Sequence, residues 1–262
     1  MDVKKIVYAT NLSEPTFRVL DGLSGLKSLG LQEIVLLSNN ATLDLFEVWK
    51  KRLSDLGIHV SIIIDPCNLS TSVLKIIHEN SISLVVLHFN KKENRRIFGG
   101  STLNDIIKST NIPLLIVDKD EKGLNFSSKG MFERVLLVSD WPDASENALQ
   151  YVISLKELIS ELDIVTVIYE KLTVRDLRQL KEKMIETRKR CTDIGIEAEY
   201  HLYAGDIADE ILLAAQDYDS TVIIMDATRV QKFKDIFRGK PSFRVAERSS
   251  TPALIISQLC FS

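Results

Sequence analysis

One spacing occurs twice in this chain. Ile97-Phe98-Gly99-Gly100 and Ile236-Phe237-Arg238-Gly239 each end in a glycine, and thirteen residues after each glycine a proline opens an apolar run, Pro113 in PLLIV and Pro252 in PALII. The apolar runs upstream, Leu84–Leu87 and Val222–Met225, sit at matching offsets within one residue. Near the other end IVYATN aligns with VLLVSD. The offset between the copies grows from 129 residues at Ile6 and Val135 to 139 at Gly100 and Gly239, so the second copy is ten residues longer, mostly in the charged stretch before Ile196. Agreement of order, spacing and residue type marks an internal duplication. A length of 262 residues alone fits either one large domain or two small ones. The duplication selects two: residues 1–117, a polar linker at 118–131 (DKDEKGLNFSSKGM), and residues 132–262.

Each copy has the same internal grammar. Short runs rich in Val, Ile and Leu recur at Lys5–Thr10, Glu33–Leu37, His59–Ile64, Leu84–Phe89 and Pro113–Val117. Helical periodicity fills the gaps, as in Glu14–Leu29, where Phe17, Leu20, Leu23, Leu26 and Leu29 recur every three residues. In the second copy the strands are expected at Phe132–Ser139, Asp163–Tyr169, Ile196–Tyr203, Thr221–Asp226 and Pro252–Ser257. Helices are expected at Ser145–Leu158, Thr173–Ile194 and Ile207–Gln216. Near-continuous apolar strands alternating with amphipathic helices predict an α/β fold, a parallel sheet covered on both faces.

Several function classes lose support. The net charge is −3, which supplies no global basic field for nucleic acid. The charged stretch Arg175–Arg190 has acids interspersed and reads as a solvated helix face. No apolar run approaches the roughly 20 residues of a membrane span, so no membrane insertion is expected. The N-terminal MDVKKIVYATN lacks the apolar core and cleavage site of a signal peptide. Cys67, Cys191 and Cys260 are too scattered for a disulfide framework, and a cytoplasmic location is expected. The histidines His59, His78, His88 and His201 form no HxxxH or HExxH pattern, so no metal site is expected.

In a doubly wound sheet, ligands bind beyond the carboxyl ends of the strands, where the strand order reverses. In the first copy the loop after the fourth strand holds Lys91, Lys92, Arg95 and Arg96, then Gly99, Gly100, Ser101 and Thr102 at the start of a helix. Glycines let the backbone approach an anion, and a helix N-terminus supplies free N–H groups. The same residues also fit a capped helix after a solvated loop. The matching loop of the second copy keeps Gly239, but Lys240 and Pro241 replace the hydroxyls and remove a donor, and Asp226 would repel phosphate. The first strand–helix loops present Ala9-Thr10-Asn11 and Val138-Ser139-Asp140. A polar side chain there serves either a ribose or adenine edge or a helix cap. There is no GxxxxGK[ST] and no G-x-S-x-G elbow, and Gly22-x2-Gly25 lies inside a helical stretch, so it is not a dinucleotide fingerprint. No catalytic constellation is present.

Two β-α repeats, strands ending in Thr-Asn or Ser-Asp, and a strand–basic loop–Gly-Ser–helix–Pro–strand order resemble the universal stress protein family, over both copies. The resemblance implies two Rossmann-like (adenine nucleotide alpha hydrolase-like) domains, each a five-stranded parallel sheet of order 3-2-1-4-5. It implies fifth strands that pair antiparallel, here Pro113–Val117 with Pro252–Ser257 within one chain as a pseudo-dimer, and a further homodimer. It implies a stress-response protein that binds an adenine nucleotide, ATP or AMP, with Mg only alongside ATP and weak ATPase activity at most. Of the family's G-x2-G-x9-G-[ST], Gly100-Ser101 matches the final pair, but the first two glycines fall at Leu87 and Asn90, and in the second copy at Asp226 and Arg229. The family's opening aspartate matches Asp140 and is Asn11 in the first copy, and Gly205 matches its glycine after the third strand. The site this implies is degenerate: Ala9, Thr10, Asn11, Gly99, Gly100, Ser101, Thr102, Ser139, Asp140 and Gly239. The alternative is a module without nucleotide that signals through dimerisation and an unknown protein partner.

Overall fold

The computed structural model describes residues 3–10, 14–38, 44–65, 69–89, 112–118, 126, 130–139, 146–169, 171–227 and 241–256. The strands are β1 (Lys5–Ala9), β2 (Glu33–Ser38), β3 (His59–Ile64), β4 (Leu84–Phe89), β5 (Leu114–Asp118), β6 (Arg134–Val138), β7 (Glu161–Ile168), β8 (Glu197–Ala204), β9 (Val222–Asp226) and β10 (Ala253–Ile256). The helices are α1 (Glu14–Ser24), α2 (Asp44–Asp55), α3 (Leu69–Glu79), α4 (Glu146–Ser154), α5 (Val174–Thr192), α6 (Ile207–Asp217) and α7 (Pro241–Arg248). The helix expected over Glu14–Leu29 changes character part way. α1 ends at Ser24, a 3-10 turn carries Gly25–Leu29, and Gly30 closes it in the left-handed region at φ 99°. The extra length of the second half lies where expected, since α5 has 19 residues and α2 has 12.

The antiparallel pairing expected of the two fifth strands forms, and it merges the two five-stranded sets into one sheet. All ten strands join one sheet in the order β3-β2-β1-β4-β5-β10-β9-β6-β7-β8. At its middle β5 and β10 run antiparallel, with Leu114, Leu115 and Ile116 opposite Ile255, Leu254 and Ala253. Every other pairing is parallel. The physical reason is that both fifth strands are uncharged over their paired residues. Left as edges they would present unpaired N–H and C=O groups on apolar strands.

Alternation along the strands builds two cores. Ile6, Tyr8, Ile34, Leu36, Leu84, Val86, Val135, Leu137, Leu162 and Ile164 point to one face, under α1, α2, α4 and α5. Val7, Ala9, Val35, Leu37, Val85, Leu87, Leu136, Val138, Val165 and Val167 point to the other, under α3, α6 and α7. The period of two is what a sheet buried on both faces requires. Gly22 is also explained here: a Cβ on it would stand 3.0 Å from the Phe126 ring and 3.2 Å from Met131, so its bare backbone lets these residues pack on α1.

The two halves repeat main-chain bonds outside the ladders. Ser83 N–H donates to Lys5 C=O, as Thr221 N–H does to Arg134 C=O, both at 2.8 Å. Val85 N–H donates to Pro113 C=O and Ile223 N–H to Pro252 C=O. The paired prolines found by spacing in the sequence thus do the same work: each supplies a carbonyl to the fourth strand of its half. Among the described residues no helix is long and apolar enough to cross a membrane.

Candidate functional site

The strand order reverses twice. β1 lies between β2 and β4, and β6 between β7 and β9, so each half has a switch point at the carboxyl end of its first strand. Ala9 and Thr10 stand at one and Ser139 at the other. Ala9 pairs with both Leu37 and Leu87, and its side chain is buried in the core under α3. Its main chain is the part that borders the switch point. Thr10 is 3% exposed and donates its N–H to Leu37 C=O at 2.9 Å. Ser139 makes the equivalent bond to Val165 C=O at 2.8 Å. Asn11, Gly99, Gly100, Ser101, Thr102, Asp140 and Gly239 lie outside the described residues.

The carboxyl rims of the two halves differ in charge arrangement. Beyond β3, Asp65 accepts from Ser72 Oγ at 2.7 Å. At the same place in the second half, Gly205 N–H donates to Ile168 C=O and Asp206 follows as the N-cap of α6. The Asp206 carboxylate accepts from the N–H groups of Ala208 and Asp209 at 3.1 and 3.3 Å. It also receives both terminal nitrogens of Arg244 on α7, at 3.0 and 2.9 Å. The Arg244 guanidinium holds the Asp206 carboxyl below its ordinary range. One turn further on, Arg248 pairs with Asp209. α6 and α7 are therefore clamped at the rim by two ion pairs. Asp226, at the end of β9, adds a buried carboxyl at 8% exposure.

Beside Ser139 a cleft of about 160 Å³ opens between α4 and α5. Glu146, Lys183, Glu186 and Arg190 line it with Leu149 and Thr187. Arg190 bridges it, giving two bonds to Glu146 at 3.0 and 2.6 Å, which hold the Glu146 carboxyl below its ordinary range. Ligand pockets for molecules of nucleotide size run to roughly 300–1,000 Å³. This cleft is smaller and carries both signs of charge. Among the described residues no group of three or more His, Cys, Asp or Glu could hold a metal.

The rim clamp and the Arg190–Glu146 bridge are not legible in the sequence. A signal existed for the clamp: Asp206 precedes Asp209 by three at the start of α6, and Arg244 and Arg248 are four apart on α7, so each pair lies on one side of its helix. That the two faces meet is decided by packing. Arg190 ends the charged stretch whose interspersed acids predict a solvated face, and its partner Glu146 is 44 residues away.

Comparison with known proteins gives a consistent picture. Residues 131–257 match the model of the universal stress protein family. The chain is similar to Universal stress protein MJ0577 of Methanocaldococcus jannaschii, at 22% identity over 156 residues, 49% of this chain and 96% of that protein. A universal stress protein from Archaeoglobus fulgidus DSM 4304 superposes with a TM-score of 0.71 at 22% identity, covering 98% of this chain and 97% of the other. The cytoplasmic domain of a prokaryotic cation chloride cotransporter has the same fold, with a TM-score of 0.62 at 13% identity over 96% of this chain and 94% of that one.

Proposed function

We propose that this chain, which belongs to the universal stress protein family through residues 131–257, is a tandem regulatory protein of two domains in which only the first holds an adenine nucleotide. The domains are residues 1–117 and 132–262, with 118–131 as linker. The mirrored strand order about β5 and β10 supports the tandem reading. The observation that carries the nucleotide reading is the switch point of the first half, where Ala9 and Thr10 end a strand flanked on both sides by parallel neighbours. Ligands of doubly wound sheets enter at such points. Thr10 and Asn11 face the nucleoside, and Gly99, Gly100, Ser101 and Thr102 supply backbone donors and hydroxyls to one or more phosphates. ATP and AMP are the ligands, with Mg accompanying only ATP. No catalytic residue is assigned, and the reading asks for no turnover beyond weak ATP hydrolysis.

The second half serves a different purpose in this reading. A short mixed-charge cleft at Ser139, a buried carboxyl at Asp226 and the Asp206–Arg244 clamp are poor company for phosphates. It acts as the structural and signalling half, with Asp140 and Gly239 as remnants.

Calorimetry or equilibrium dialysis of the purified chain against ATP, ADP and AMP tests the proposal. Binding of at least one is expected, abolished by Gly100→Val and unaffected by Gly239→Val. No binding at millimolar nucleotide overturns it and leaves the module that works through protein contacts alone.

A further inference from the structure

The sheet has two outer edges, β3 and β8. Gly205 donates its N–H to Ile168 of β7. Backbone groups alternate in direction along a strand, so Glu197, Glu199, His201 and Tyr203 turn theirs toward β7. Ala198, Tyr200 and Leu202 turn theirs outward. The Ala198 carbonyl is met there by a side chain, the Arg188 Nε–H of α5, at 2.8 Å. The two faces beside this edge differ in character. On one, β7 and β8 carry four carboxyl groups in register, Glu161 beside Glu197 and Asp163 beside Glu199. Glu161, Glu197 and Glu199 are exposed, and among the described residues no cation forms an ion pair with any of the three. Arg134 of β6, next to Glu161, gives its Nε–H to the Asp219 carbonyl instead. His201 meets Asp163 at 2.8 Å through Nε2 and stacks on Tyr218. Burial pushes the Asp163 carboxyl up, and the Glu199 charge pushes the same way. The other face is apolar at its surface. Leu202 is 49% exposed, and Leu177 and Ile185 of α5 are 40% and 46% exposed. By helical spacing Leu177, Lys181, Ile185 and Arg188 share the flank of α5 from which Arg188 reaches the edge.

We propose that β8 is a docking edge for an extended segment of a partner protein, which pairs with it antiparallel and carries Lys or Arg on one face and apolar residues on the other. Charge complementarity selects this occupant. In an antiparallel pairing Ala198, Tyr200 and Leu202 form the hydrogen-bonded pairs. Glu197, Glu199 and His201 then stand at the non-hydrogen-bonded positions, where opposed side chains come closest. The partner residues opposite Glu197 and Glu199 are two apart and share the acidic face. Cations there meet Glu197 and Glu199 directly, with Glu161 and Asp163 in the row behind. The partner residues opposite Tyr200 and Leu202 lie on the other face, beside Leu202, Leu177 and Ile185. Arg188 and Lys181 on that flank disfavour cations there, so the positive charge is confined to one side of the incoming strand. Along the partner chain the pattern is apolar–any–apolar–basic–any–basic. Its main chain pairs the outward N–H and C=O groups, a peptide donor replacing Arg188 at the Ala198 carbonyl, and its side chains supply the selectivity. A second copy is a poor occupant, because β8 against β8 brings the carboxyl row of each copy alongside that of the other. β3 does not draw a basic strand, since its only ionisable side chain is His59.

Fluorescence anisotropy of the full chain with a labelled, end-blocked peptide Thr-Val-Ser-Val-Lys-Val-Lys-Thr tests this. Saturable binding is expected. Exchanging both lysines for glutamate, or methylating the valine N–H groups that face β8, should each raise the dissociation constant roughly tenfold or more. Glu199→Lys in the protein should do the same, and Ile63→Lys on β3 should leave the affinity unchanged. Circular dichroism and melting temperature of both variants should stay at wild-type values. No saturable binding at millimolar peptide overturns the proposal. So does a methylated peptide that binds as well as its parent, which marks charge adhesion without strand pairing, or an affinity indifferent to Glu199→Lys. In sedimentation velocity, a wild-type dimer that the peptide dissociates assigns the edge to a second copy and overturns the proposal as well.

Discussion

Asp206 carries two loads that can be separated. Its carboxylate caps α6 through two N–H groups and clamps α7 through Arg244. Replacing it with alanine removes both. Loss of an aspartate cap costs about 1 kcal/mol, within a range of roughly 0.5–2. The Arg244 pair is partly open to solvent, with side chains 33% and 27% exposed, which places it in the class worth roughly 0.2–1 kcal/mol after screening. Asp206→Ala should therefore destabilise by about 1–2.5 kcal/mol. Asp206→Asn keeps the capping oxygen and loses the charge, so it should cost only about 0.2–1 kcal/mol. The pH dependence follows from the sign of the shift. The folded carboxyl titrates below its unfolded value. Its contribution is thus complete above an unfolded pKa of about 3.9 and disappears as the pH falls through the folded value. Urea denaturation of wild type and both variants at pH 7, and again at steps down toward pH 3, gives the comparison as shifts in midpoint at constant slope. The asparagine variant should converge on wild type in acid, while the alanine variant keeps its capping deficit. An asparagine variant as damaged as alanine at pH 7, or a gap that does not narrow in acid, refutes the division.

Gly130 adopts φ +92°, and a Cβ there would stand 3.1 Å from the Gly22 carbonyl oxygen, a main-chain atom with little room to move. Gly130→Ala should cost roughly 1–3 kcal/mol, read as a lowered urea midpoint. The Cys191 thiol is fully buried and burial pushes its pKa up to about 11, so it stays protonated at neutral pH. Native-state alkylation at pH 7.5 followed by peptide mass spectrometry should leave Cys191 unmodified until urea is added, and rapid labelling of the folded chain would show that the α5 packing is wrong. The nucleotide and peptide experiments above complete the set, and they are independent: Gly100→Val should not alter peptide binding, and Glu199→Lys should not alter nucleotide affinity.

The duplication, the alternation of strands and helices and the places of most strands were legible in the sequence, because each is a local property. A run such as Ile34-Val35-Leu36-Leu37 is apolar on both faces wherever it sits, and a strand followed by helical periodicity forces a parallel crossover. The paired prolines were legible for the same reason, each opening the fifth strand of its half. What the sequence could not determine was how the elements meet. The antiparallel pairing of Leu114–Ile116 with Ala253–Ile255 was implied by the family resemblance, but the residues themselves do not specify it, since pairing is a contact across more than 130 residues. Its position inside a helical stretch already rules out Gly22 as part of a phosphate loop, but only the close approach of Phe126 and Met131 shows why the backbone is bare there. Nothing in the sequence joins Asp206 to Arg244, 38 residues away, and the pair forms only because α6 packs beside α7. Periodicity, spacing and residue type act along the chain and specify the elements. The edges, clefts and ion pairs depend on which faces are pressed together, and that is decided only when the cores on both sides of the sheet are filled.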